Sequence, residues 1–155
     1  MKEIQQLRTQ YKPNSKIPQE YLHRKTAILW NWDNYRVTEI QPQTNQWNPS
    51  KVIYKFHRIL KELNCPVDFI SEDMDFTSYP TIIAPMYQLV DDKLIEKLTL
   101  YVKNGGHLVL TARSGEKDRN GHLWEMPYGK KIETLTGDKL LLRMISLDIK
   151  RNLLQ

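Results

Sequence analysis

The sequence predicts an α/β fold of three layers around a mostly parallel sheet, flavodoxin-like, with strand order 2-1-3-4. Three observations predict it. Four short apolar runs, at residues 26–31, 66–71, 81–85 and 107–111, have the length of buried strands. Two stretches with apolar residues at helical spacing separate the first run from the second and the third from the fourth. The resulting order, β-α-β-β-α-β, is that of parallel strands joined by helical crossovers. Right-handed crossovers then place the strands in the flavodoxin-like order 2-1-3-4.

The totals agree with one globular domain. The chain has 155 residues, 40% hydrophobic and 26% charged. No apolar run approaches the roughly 20 residues that span a bilayer, so no membrane partner is expected. The first residues, Met1 to Gln6, lack the apolar stretch of a secretory signal. Cys65 is the single cysteine, which excludes an internal disulfide and a cysteine-based zinc cage. A reducing compartment, hence the cytoplasm, is the expected location.

The net charge of +5 is unevenly placed. Residues 1–25 carry six Lys and Arg against two Glu, and residues 139–155 carry four against one Asp. The stretch between them is slightly acidic. A nucleic-acid surface needs its basic residues on the folded face that makes contact. Here they sit at the two ends, so nucleic acid is not an expected partner.

Ile4, Leu7 and Tyr11 predict a short helix over 2–11, ended by Pro13. Residues 1–25 therefore read as a lead-in helix and linker. Thr26–Asn31 is the first strand, followed by the turn-prone Trp32-Asp33-Asn34-Tyr35 and a polar loop over 38–50. The next helix is capped by Ser50, or by Asn48 with Pro49 in its first position. Val52, Phe56, Ile59, Leu60 and Leu63 form its apolar stripe, and Asn64 stops it. Residues 66–71 form the second strand. The acidic Glu72-Asp73-Met74-Asp75 leads on to the third strand, 81–85. Asp91 and Asp92 open the following helix, where carboxylates suit the positive end of the helix dipole. Leu94, Ile95, Leu98, Tyr101 and Val102 are its expected buried stripe, and Gly105-Gly106 stop it. The fourth strand, His107–Thr111, runs into a long polar loop. Ile132, Leu135 and Leu140 suggest a short helix, and residues 139–155 an amphipathic one. The α/β domain is thus expected over 26–137, with a divergent basic tail at 138–155.

Three strand ends share one rim in this topology: Asn31–Tyr35, Met86–Leu89 and Ala112–Gly121. The loops at such a rim meet ligands or partners. Its residues do not assemble into known chemistry. Ser114, in Arg113-Ser114-Gly115, has only half of the Gly-x-Ser-x-Gly turn that activates a serine. Cys65 lies at a helix-to-strand junction on the opposite rim. His23, His57, His107 and His122 have no metal spacing. Asp33, Asp118 and Glu125 suit turns and caps better than a paired-carboxylate glycosidase site. No glycines follow the first strand to cradle a phosphate, so no flavin, dinucleotide or other cofactor is expected. Trp30 suits the core. Trp32, Trp47 and Trp124 lie in or beside polar loops, which suits a protein interface first, local packing second and a sugar platform third. The expected catalytic and metal residues are therefore none. The expected contact residues are Asn31, Trp32, Asp33, Asn34, Tyr87, Arg113, Ser114, Asp118 and Trp124.

Five motifs in order carry a resemblance. They are Asn31-Trp32-Asp33-Asn34, Pro66-Val67-Asp68, Tyr79 with Ile82-Ile83-Ala84-Pro85-Met86-Tyr87, Tyr101-Val102-Lys103-Asn104-Gly105-Gly106, and Thr111-Ala112-Arg113-Ser114-Gly115-Glu116-Lys117-Asp118. Together, across residues 1–137, they resemble the middle domain of the glycoside hydrolase family 42 β-galactosidases. The resemblance implies a trimerisation domain related in fold to class I glutamine amidotransferases but lacking their catalytic residues. It implies a catalytic (β/α)8 barrel outside this chain, with both catalytic glutamates in that barrel. The helix at 2–11 would be the exit from the barrel. The chain alone would not hydrolyse galactosides. Its partners would be further copies, as a trimer, or the barrel, with Trp32, Tyr87, Arg113 and Trp124 as contact residues. Leu140–Gln155 departs from the family's pattern, and an exposed sheet edge is expected there. Two other readings remain open on residues alone: a carbohydrate-binding module, and a small hydrolase or amidotransferase-like enzyme acting through Ser114 or Cys65.

Overall fold

The structure is a computed structural model, and it describes residues 20, 23–42, 47–124, 132, 133 and 135. The expected helices at 2–11 and 139–155, and Leu140 with them, lie outside the described residues.

Four parallel strands form one sheet in the order β2-β1-β3-β4. They are β1 (Thr26–Leu29), β2 (Val67–Ile70), β3 (Thr81–Ala84) and β4 (His107–Leu110). The helices are α1 (Trp32–Ile40), α2 (Pro49–Glu62) and α3 (Asp92–Lys103). The expected strand order holds. Each strand is shorter at its end than its apolar run, because Asn31, Ser71, Pro85 and Thr111 already turn into the rim loops.

Side chains alternate between the two faces of a strand. The register aligns Ala27 with Asp68 and Ile82, Leu29 with Ile70, Ile82 with Leu108, and Ala84 with Leu110. On that face Ala27, Leu29, Ile70, Ile82 and Ala84 join Leu94, Ile95, Leu98 and Tyr101 of α3 in one core. Burying a side chain such as Leu98, 1% exposed, contributes about 1.5–3 kcal/mol. Val102 was expected in this stripe but is 38% exposed. Val102 falls on the same helical face as Leu94 and Ile95, but in the last turn of α3, which ends at Lys103.

The opposite face presents Ile28, Ile83, Phe69 and Val109, and α2 lies against its β2 side, with His57 stacked on Phe69 at 6.1 Å. Burial here is less complete. The predicted stripe of α2 is only half-buried at Val52, Phe56 and Leu60, while Ile59 and Leu63 are 48% and 61% exposed. β4 is likewise not a fully buried strand. It is an edge of the described sheet, and Val109 is 41% exposed.

Helix ends follow local chemistry. Asn48, not Ser50, caps α2: its side chain accepts the Lys51 N–H at 3.0 Å, with Pro49 first in the helix. Asn64 stops α2 at φ 55°, where Cys65 N–H donates to Leu60 C=O and Asn64 N–H to Lys61 C=O. Gly105, at φ 91°, closes α3 in the same way. Gly106 then lets the Tyr101 ring lie against the backbone; a Cβ there would sit 2.3 Å from that ring.

The largest departure from expectation is α1. The segment read as a turn and a loop forms a helix from Trp32 to Ile40. Its buried residues are polar, Asn34 and Thr38, spaced i and i+4. Hydrophobic periodicity cannot find such a helix, because the inward face is held by hydrogen bonds. Ile132 and Leu135 are helical, as the short-helix reading expects, and pack against the core, Ile132 beside Gly115.

Candidate functional site

The rim at the carboxyl ends of the strands is one hydrogen-bonded unit. Asn31 leaves β1 with extended backbone and caps α1, its Oδ1 accepting the N–H groups of Asp33 at 2.8 Å and Asn34 at 3.1 Å. Asp33 is exposed in the first helical turn. Trp32 is 64% exposed and meets Trp30 and Tyr35 edge-on at 5.5 and 5.8 Å.

Asn34 is buried and ties α1 to the loop after β3. Its Oδ1 accepts Gln88 N–H at 2.7 Å and Leu89 N–H at 3.2 Å, and its Nδ2 donates to Met86 C=O at 3.2 Å. Gln88, fully buried, continues the chain of bonds. Its Nε2 donates to Thr38 Oγ1 at 2.6 Å, and its Oε1 accepts from Arg113 at 2.9 Å. Tyr87 is 2% exposed, and its hydroxyl donates to Glu72. Burial first, then the Glu72 carboxylate, pushes the Tyr87 phenol far above its ordinary range.

Arg119 closes the outer part. Its guanidinium donates to both oxygens of Glu72, at 2.9 and 2.6 Å, and through Nε to Asp91 at 2.8 Å. The hydrogen bonds from Arg119 hold the Asp91 carboxyl below the usual carboxylate range, and Arg119 in turn is raised by Glu72. A cavity of about 280 Å³ beside this pair is lined by Asp73, Lys93 and Lys97 among others.

The loop after β4 is fastened at several points. Gly115 N–H donates to Tyr87 C=O, Lys117 N–H to Gln88 C=O, and Trp124 N–H to Glu116 C=O. Asp118 is a turn anchor: its Oδ1 accepts the N–H groups of Asn120 and His122 at 2.9 and 2.8 Å. The backbone N–H of His122 is the first cause of its lowered pKa. Trp124 is half-buried against this loop.

Arg113 stands where a nucleophile turn would stand, directly after β4 and at φ 72°. The side chain there is a guanidinium, paired with Glu116 at 3.3 Å, with both side chains under 10% exposed. It also lies over the Trp47 ring, 5.8 Å from its centroid. Ser114 Oγ is buried and has no hydrogen-bond partner among the described residues, so no base is in reach to activate it. Arg113 Nη1 is likewise without a partner there.

Of the nine residues expected at the rim, Asn31 and Tyr87 meet at Glu72, and Asn34 and Arg113 meet at Gln88, while Asp118 and Trp124 are bonded within their own loop. Trp32 and Asp33 face outward. Asn34, Tyr87 and Arg113 are buried or nearly so, and join elements of this chain to one another. In this chain their polar groups are engaged with Gln88 and Glu72. Sequence reasoning missed Glu72, Gln88, Arg119 and Thr38. The acidic run 72–75 was a usable signal, since a half-buried carboxylate needs a cation. Arg119 lies 47 residues from Glu72, and spacing alone does not connect them.

Among the described residues, the carboxylates Glu72 and Asp91 meet at one guanidinium, that of Arg119. A general acid needs a raised pKa; the Asp91 carboxyl is held low by Arg119. Glu125 lies outside the described residues. Among the described residues no group of three or more His, Cys, Asp or Glu could hold a metal ion. No helix among them is long and apolar enough to cross a membrane.

Comparison with known proteins gives a consistent result. The family model described as the β-galactosidase trimerisation domain matches residues 24–147. Residues 140–147, read above as departing from the family's pattern, fall inside that match. The chain is 34% identical over 115 residues to β-galactosidase Pbg of Clostridium perfringens, covering 73% of this chain and 17% of that protein. It is 29% identical over 137 residues to β-galactosidase BgaB of a Geobacillus species, covering 88% of this chain and 20% of that protein. It thus spans about a fifth or less of the curated relatives it matches. Among solved structures, a catalytic mutant of Gan42B, a GH42 β-galactosidase from G. stearothermophilus, superposes with a TM-score of 0.64 at 30% identity, over 70% of this chain and 16% of that one. A β-galactosidase from Bacillus circulans sp. alkalophilus gives 0.68 at 25% identity, over 72% and 17%. The four-stranded parallel sheet and the match over most of its length agree: the chain belongs to the β-galactosidase trimerisation-domain family.

Proposed function

We propose that this chain is a non-catalytic assembly domain of a β-galactosidase, joining copies of the enzyme while the hydrolysis of terminal β-galactosides takes place in a separate barrel domain. The observation that carries the reading is the family match over residues 24–147. The rim supports it: its polar groups are largely paired with one another, and among the described residues Ser114 has no base in reach. Nucleic acid and membranes are not partners in this reading, and the single cysteine suits the cytoplasm.

The test uses the full 155-residue chain. The reading expects self-association by light scattering and no release of nitrophenol from nitrophenyl β-galactoside. A strict monomer, or turnover abolished by Ser114→Ala, would contradict it.

A second reading rests on Trp32. Its exposed indole, beside Trp30 and Tyr35, has the form of a stacking platform for a sugar ring. Titration with galactose or lactose, followed by tryptophan fluorescence, tests it; a flat response ends it.

A further inference from the structure

Among the described residues, the second face of the sheet is only partly covered. A groove of about 420 Å³ runs between α2 and β2, lined by Trp30, Ser50, Ile53, Tyr54, His57 and Phe69. Tyr54 is 62% exposed and Phe69 49%. Phe69 belongs to β2, an edge strand of the described sheet. At 3.6 residues per turn, Lys51, Arg58 and Lys61 fall beside Tyr54 on the outer flank of α2, and all three are exposed. The groove is apolar inside; along one lip Arg58 pairs with Glu62 at 3.4 Å, and Lys51 and Lys61 keep that lip basic.

The loop after β2 has the converse character. Met74 is 45% exposed and stands between Asp73 and Asp75, also exposed. This loop is held in shape: Lys97 Nζ donates to the carbonyls of Glu72 and Met74, Met74 N–H donates to Ser71 C=O, and Asp75 accepts from Thr77. Lys97 belongs to α3, so the loop is tied to the layer opposite α2. Groove and knob therefore sit on opposite sides of the sheet.

We infer that the groove is a contact between copies of this chain, and that it receives the Met74 loop of a neighbouring copy. The inference rests on the assembly reading above and names its surface. Met74 supplies a flexible apolar tip for a groove of aromatic and aliphatic walls. Asp73 and Asp75 meet the basic lip, which gives the contact charge complementarity. The loop is already ordered, so little conformational entropy is lost on docking. Two different patches on opposite sides make a head-to-tail contact, the kind that closes a ring of three; a single self-complementary patch makes only dimers.

Sedimentation velocity on the full chain tests this with Phe69→Asp and Met74→Asp. Each variant alone is expected to weaken association about 30-fold or more, as loss of a central apolar anchor does. A one-to-one mixture of the two retains one intact groove and one intact knob. It is expected to form dimers and no trimers. Circular dichroism and melting confirm folding; if Phe69→Asp unfolds, Tyr54→Glu, at an exposed helix position, replaces it. If the unmodified chain associates and either variant matches it, or the mixture stays monomeric, this surface is wrong while the assembly reading stands. If the unmodified chain is a monomer throughout, both fall.

Discussion

Arg119 holds Glu72 with two nitrogens, at 2.9 and 2.6 Å, across 47 residues of sequence. The contact ties the loop after β4 to the loop after β2, and Asp91 Oδ2, at 2.8 Å, adds the start of α3. One side chain thereby joins three of the four connections that form the rim. The rim is a braced edge.

Removing the brace has a measurable cost. The Arg119 and Glu72 side chains are 32% and 18% exposed, so solvent screens part of the interaction. Arg119→Ala is expected to destabilise the fold by about 1–2 kcal/mol, read from urea unfolding. Arg119→Lys recovers only part, because an ammonium cannot make the paired contact. An unchanged midpoint would show that the loops are held by other means.

Asn34 is the more severe position. Asn34→Ala leaves Gln88 N–H, Leu89 N–H and Met86 C=O without their partner in a buried place. A loss of about 2–4 kcal/mol is expected in denaturant unfolding. Asn34→Asp keeps the acceptor but faces a carboxylate oxygen to Met86 C=O, and is also expected to destabilise.

Two glycines of one loop separate backbone strain from crowding. Gly121, at φ 83°, has nothing within 4 Å of a built Cβ, whereas at Gly115, φ 73°, a Cβ would lie 2.1 Å from Ile132. Gly121→Ala is expected to cost about 1 kcal/mol and Gly115→Ala about 3 kcal/mol. Equal costs would mean that Ile132 does not pack there.

The stability profile with pH follows from the shifted groups. Asp68, Asp91 and Asp118 are lowered from 3.8, chiefly by Lys25, by Arg119 and by the His122 N–H respectively. A lowered carboxyl contributes stability above its unfolded pKa, and that contribution is lost as pH falls through the folded value. Burial raises Tyr79, Tyr87 and Tyr101 from 10.0. Their contribution is complete below the unfolded value and is lost as pH rises above it. Stability is therefore expected to be flat from about pH 5 to pH 9 and to fall on both sides. Arg119→Ala should flatten the acid limb. Melting temperature against pH checks both limbs.

The strands and their order were readable because each is a short apolar run and the two crossovers admit few arrangements. The stops at Asn64 and Gly105 were readable because a left-handed residue is a local matter. α1 was hidden, since Asn34 and Thr38 face inward and look like loop residues when their partners in 86–89 are unknown. The rim was legible as a place but not as a mechanism. Its residues were nameable from topology, while Arg119 with Glu72 and Gln88 with Arg113 are pairings of distant residues that folding alone brings together. The excess apolar surface of α2 was legible as a stripe, but not as one left half-covered.

The central claim is that this domain joins copies. Sedimentation equilibrium on the full 155-residue chain, across a wide concentration range, tests it most directly. The account predicts mass rising with concentration toward three times that of the monomer. A single monomer mass at every concentration would contradict it.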